Sequence, residues 1–249
     1  MIIKSNLKLV SILLFLSIGI SNFCFSQNST SEFWPEVDIW YRLDQNWRFS
    51  SFSSITKYNE SKYRDMNISL NIDYSWGKTK NIIYRRLLDQ ERQQIMKALM
   101  VRGAYAKGWS IGNNKGNYKE DMIFGEIHQR IPLKGDILLS HRLRMDTRWM
   151  GDENDFSYRF RYRLMLEKEY KFEKFSFVPF LNFEPYWDSR YNKIIKYRFI
   201  GGVTTNLNEK FALEGNVNYQ NNKNYDTENV YVLNVILHIF IENKKNNLD

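Results

Sequence analysis

The chain is poor in cysteine, proline and histidine: one, four and three residues in 249. No apolar run beyond the N-terminal twenty residues approaches the ~20 that a membrane-crossing helix needs, so a helical membrane protein is excluded. The single cysteine, Cys24, leaves no disulfide framework and no cysteine metal site. No HExxH and no histidine pair at ligand spacing occurs, so neither a metal nor another cofactor is implied. The Gly- and Asn-rich stretch around Gly112 and Gly116 lacks the Lys-Ser/Thr of a phosphate loop and reads as plain loop.

Aromatic residues, in contrast, make up 16% of the chain. Net charge is +8 and mean hydropathy −0.54. A nucleic-acid binder would gather Lys and Arg in loops or on one helix face. Here many arginines lie inside strand patterns, so nucleic acid is not an expected partner. The N-terminus has the build of an export signal: Lys4 and Lys8, then the short apolar run Leu9 to Ile20. Phe23 before Cys24 is too large for a lipoprotein signal. Cleavage is expected after Ser26, giving a signal peptide over 1–26 and one domain over 27–249.

Two-residue alternation dominates the remainder. In the segment DFSYRFRYRLMLEKEY, Phe156, Tyr158, Phe160, Tyr162, Leu164 and Leu166 share one parity; Ser157, Arg159, Arg161, Arg163, Glu167 and Glu169 share the other. A strand sends these sets to opposite faces, whereas a helix would scatter them. In the preceding segment Ile137, Leu139, Leu143 and Met145 oppose Ser140, Arg142, Arg144, Asp146 and Arg148. About twelve such strands are expected, including Asn81 to Asp89 and Gln94 to Ala106. Lys107 to Tyr118 is the longest expected loop. Pro35 suits the first residue of a strand, and slipped parity at Ser50-Ser51 suggests a bulge. The last strand ends near Phe240, where outer-membrane barrels commonly carry an aromatic read by the assembly machinery.

A sandwich and a barrel both alternate. The polar parity here carries long side chains of both charges. Aromatics near strand ends (Trp34, Trp40, Trp47, Trp76, Trp149, Tyr186 and Trp187) suit a membrane girdle. The expected fold is all-β: an antiparallel transmembrane β-barrel of about 12 strands in the bacterial outer membrane, behind a signal peptide. The sequence also resembles the family called domain of unknown function 2490. The resemblance rests on FWPE at Phe33 to Glu36, HRLR at His141 to Arg144, SYRFRYRL at Ser157 to Leu164 and NFEPYWDSR at Asn182 to Arg190. It implies an exported outer-membrane barrel of Gram-negative bacteria and no catalytic residue.

The expected lumen-lining set is Glu126, Arg142, Arg144, Asp146, Arg148, Arg159, Arg161, Arg163, Glu184, Lys196 and Arg198. Two readings follow from it. A basic stripe would attract small anionic solutes and form a narrow anion-preferring channel. A salt-bridge network would instead fill the barrel and leave a non-conducting structural or surface-interaction protein, with the loops Lys107–Tyr118 and Asn221–Thr227 as contact sites. A barrel enzyme acting on lipids is the third class. Its only neighbouring Ser-His pair, Ser140 and His141, would point to opposite faces, while His128 and His238 have no obvious serine partner. The expected partners are the lipid bilayer, the outer-membrane assembly machinery and the anionic solute.

Overall fold

The computed structural model describes residues 29–58, 64–80, 82–83, 95–111, 118–153, 155–172, 176–223 and 229–242. The expected signal peptide lies outside them, as does nearly all of the expected strand at Asn81–Asp89. Eleven long strands form one sheet. They are β1 (Ser29–Arg42), β2 (Trp47–Tyr58), β3 (Arg64–Trp76), β4 (Leu99–Ile111), β5 (Lys119–Leu133) and β6 (Ile137–Met150). The remaining five are β7 (Asp155–Lys168), β8 (Ser176–Asp188), β9 (Lys193–Asn206), β10 (Phe211–Asn222) and β11 (Asn229–Glu242). Each pairs with its sequence neighbour, and β11 pairs with β1, so the sheet closes into a barrel. A two-residue strand, Tyr170–Lys171, pairs outside this ring with the start of β8.

The barrel closes with eleven strands, in keeping with the expected count of about twelve, and Tyr170–Lys171 lies outside it. Trp76 pairs with Leu99 and Arg64 with Ile111, so β3 and β4 are direct neighbours with nothing between them. Strand β4 also runs five residues beyond the expected Ala106, through much of the expected loop. An odd number of up-and-down strands has a necessary consequence. Ten neighbouring pairs are antiparallel, but β1 and β11 point the same way and pair in parallel from Ser29↔Asn229 to Arg42↔Glu242. The count of eleven sorts the connections into two rims. The first rim carries connections 43–46, 77–98, 134–136, 169–175 and 207–210. The second carries 59–63, 112–118, 151–154, 189–192 and 223–228. The tight 43–46 turn therefore joins the other tight turns. One of these, between β5 and β6, places Gly135 and Asp136 at φ 78° and 57°, the left-handed values that a tight hairpin needs.

Alternation assigns the faces. Outward residues form an apolar belt that includes Leu70, Ile123, Ile127, Leu143 and Leu181, all more than half exposed. A soluble monomer rarely exposes so continuous an apolar surface. Aromatics edge the belt. Trp47 packs on Tyr74 at the first rim, while Trp149 packs on Phe156 and Trp187 on Tyr158 at the second. Trp34, Trp40 and Tyr186 depart from the girdle expectation. They take inward positions, and Trp40 and Tyr186 are only 5% and 3% exposed. Phe240 also faces inward, against Trp40 and Ala212.

Two local expectations change as well. The β1–β2 and β2–β3 registers run without a shift through Ser50 and Ser51, so no bulge lies there. The slip is one of residue type: Phe52 points inward onto Trp40, with ring centroids 4.8 Å apart, and Ser51 and Ser53 take the outer face. Pro35 sits mid-strand, where the β1–β2 ladder lacks the pairs at Trp34 and Pro35; proline has no N–H to donate. The bulge occurs instead in β9, where the register shifts opposite Tyr186 and Trp187 and buries Ile195.

Gly202 in β9 is built into this packing. A Cβ there would come within 2.5 Å of both the Phe180 ring and Asn216 Cβ, whereas one at Gly215 would meet nothing within 4 Å. Gly202→Val should therefore cost about 1–3 kcal/mol of stability, read as a lower urea midpoint of the refolded protein. Gly215→Val should leave that midpoint nearly unchanged.

Candidate functional site

The inward parity of β4 to β9 brings arginines and carboxylates together from strands far apart in sequence. Glu184 on β8 is completely buried. Arg142 of β6 bonds its carboxylate directly, and Arg161 and Arg163 of β7 and Arg198 of β9 lie 3.1, 3.6 and 3.8 Å away. Tyr186 donates a further bond at 2.8 Å. Glu126 on β5 is the second hub, with Arg144 at 3.1 Å, Arg102 and Arg142 at 3.5 Å and His128 at 2.8 Å. Asp146 on β6 is the third, bonded by Arg144 and by Arg159 at 2.7 Å. Arg148 bridges Glu120 and Asp188 near the second rim. Lys196 sits beside the Tyr186 ring, 5.6 Å from its centroid. All eleven expected residues thus lie on the inward face, ten of them in ion pairs and Lys196 against the Tyr186 ring.

Around Glu126, Asp146 and Glu184, six guanidinium groups (Arg142, Arg144, Arg159, Arg161, Arg163 and Arg198) meet three carboxylates. Among the described residues, guanidinium groups outnumber carboxylates on this wall. The opposite wall, built by β10, β11 and β1, presents Glu36, Asp38 and Glu214. His238 lies 3.2 Å from Asp38 and 3.8 Å from Glu214. Between the walls lies a cavity of about 540 Å³. The interior is therefore polarised across its width, basic on one side and acidic on the other.

The first rim is floored. Connection 77–98 is far longer than a hairpin between adjacent strands needs, and its described residues Ile82, Ile83 and Met96 pack against inward Leu138 and Val178 of the barrel. Ile83 and Leu138 are wholly buried. The Arg130 backbone N–H donates to the Ala98 carbonyl at 2.9 Å, and Lys97 Nζ donates to Asn46 Oδ1 at 2.9 Å. Across the barrel, Trp40, Phe240, Ala212 and Phe52 form a second apolar group. Arg48 and Arg102, both held by Asp73 at 2.7 and 2.6 Å, cover the Trp40 ring from 4.7 and 5.6 Å. Cation–π contact and the shared aspartate span the width left between the apolar groups.

Several of these residues escaped sequence reasoning. Arg102 lay in a segment whose period was ambiguous between strand and helix. Trp40 and Phe240 looked like interface aromatics because an apolar side chain on the polar parity carries no mark of what covers it. Ser140 and His141 are split as their adjacency requires. Ser140 Oγ is 3.4 Å from Glu167 on the inside, and His141 pairs with the Tyr162 hydroxyl on the outside.

Glu184 is the test of the network. Glu184→Leu removes the one carboxylate shared by four guanidinium groups and should cost about 3–5 kcal/mol. Arg163→Met, whose side chain is 26% exposed at 3.6 Å from Glu184, should cost about 1 kcal/mol or less. Urea unfolding in detergent would rank the two.

No curated protein matches the sequence. A solved structure described as "Bacterial polysaccharide outer membrane secretin" is similar at a TM-score of 0.45 and 8% identity, over 78% of this chain. This chain spans 64% of that one. A likeness of that extent assigns no activity. Residues 31–231, most of the barrel, match the family described as "Protein of unknown function (DUF2490)", and the chain belongs to that family.

Proposed function

We propose that the protein is an outer-membrane barrel whose interior admits small anionic solutes from the second rim and is stoppered at the first. The apolar belt with its two aromatic edges supports a bilayer setting. The single observation that carries the functional reading is the pairing of a basic-walled cavity with an apolar floor. About eight strands leave an interior that side chains fill, and about sixteen leave an open channel. Eleven strands lie between, and here arginines fill part of the width while Ile82, Ile83 and Met96 cover part of the first rim. The protein is therefore silent at rest, and the stopper is the element that would have to move for passage. The short turns of the first rim support a periplasmic side for it in this reading. Lipid chemistry has less support, because Ser140 faces Glu167 and has His141 on the other side of the wall.

The stopper can be removed without breaking the barrel. Trp76 already pairs with Leu99, and the Ala98 N–H reaches the Gly77 carbonyl at 3.4 Å. A short turn can thus replace residues 78–97. In planar bilayers the native protein should pass no steady current, and the shortened variant should conduct with anion preference. A native protein that conducts steadily, or a shortened one that stays silent or selects cations, would overturn the reading.

A further inference from the structure

We propose that the cavity binds an acidic polyol: a small, hydroxyl-rich solute with one anionic group. The inference deepens the proposed admission of anions to the chamber and rests on it. Surplus charge is the first reason. Among the described residues four guanidinium groups converge on the single Glu184 carboxylate, Arg142 sharing Glu126 as well, and this crowding of like charge disfavours an empty cavity, because buried charge that is incompletely balanced is costly. An anion against Arg142, Arg161, Arg163 and Arg198 would balance it. The Nε atoms of all four are buried and have no hydrogen-bond acceptor among the described residues.

The second reason excludes a plain inorganic anion. The same cavity presents Asn182, Asn218 and Asn234, which are 6%, 2% and 7% exposed. Their Oδ1 atoms are buried and accept no hydrogen bond from the described residues. A buried acceptor needs a donor, and leaving one unsatisfied costs about 1–3 kcal/mol. Chloride or a simple carboxylate brings acceptors only. The three amides stand on β8, β10 and β11, more widely spread than a single ammonium group reaches, so a zwitterion would serve them poorly. Several hydroxyls on a compact frame meet all of them, while one carboxylate or phosphate meets the guanidinium wall. The cavity, about 540 Å³, is of the size that holds small molecules.

Calorimetric titration of the full chain in detergent micelles tests this, with glucuronate, glucose, acetate and glycine as probes. Glucuronate should bind at least roughly tenfold more tightly than the other three, since it alone satisfies both walls. Acetate or glycine binding as well would make this an ordinary anion or zwitterion site; glucose binding as well would make it a neutral sugar site. Either result, or no binding of glucuronate, overturns the proposal. Asn234→Leu should weaken glucuronate roughly tenfold and leave acetate unchanged. Arg163→Met should weaken glucuronate and leave glucose unchanged. Should Asn234→Leu fail to fold, Asn182→Leu asks the same question, and unchanged glucuronate affinity in a folded amide variant overturns the assignment. Micelle titration reads occupancy and not passage, so failure of the conductance test is distinguishable from failure here.

Discussion

Glu184 is the constraint on which the interior depends. Its carboxylate is wholly buried and lies within 4 Å of guanidinium groups from β6, β7 and β9. Buried charge is tolerated only where it is paired and hydrogen-bonded. Once four arginines converge on one acid, their neighbours must be acids too, and Glu126 and Asp146 fill that role through Arg142 and Arg144. The network thereby fixes the register of β5 to β8 from within: a one-residue slip would send every charged side chain to the apolar outer face.

The other half of the ring is held differently. Strands β10, β11 and β1 contribute no arginine or lysine to the described ion pairs of the interior. They present amides, three carboxylates and apolar residues such as Val232 and Ile236. One half of the barrel is thus stabilised by ion pairs and the other by amides and packing. The floor uses both methods, with aliphatic contact at Ile83 and Leu138 and arginine–aromatic contact at Trp40. Polarisation of the cavity follows from this division of labour.

Much of the fold was legible because period-two patterning is a local signal. In β3, the parity read from the sequence matches the structure, with Asp73 buried and Leu70 exposed. The inward position of all eleven expected lumen residues follows from the same rule. The exact strand count was not legible. The segment between β3 and β4 is apolar enough to look like a strand, but β3 and β4 are satisfied by each other, and pairing partners are not written in a strand's own sequence. The floor was hidden for the same reason, since its contacts join Ile83 to Leu138 and Val178 across long stretches of chain. Parity also failed where residue type and face part company, as at Phe52, Trp40 and Ile195.

The parallel seam between β1 and β11 has a topological consequence. A chain that traverses a cylinder wall an odd number of times enters at one mouth and leaves at the other: Ser29 and Glu242 mark opposite ends of the same seam. In the proposed bilayer setting, a polypeptide joined before Ser29 and one joined after Glu242 would face different compartments. Barrels with an even count return both termini to one side. This one sets its two strand ends at opposite rims.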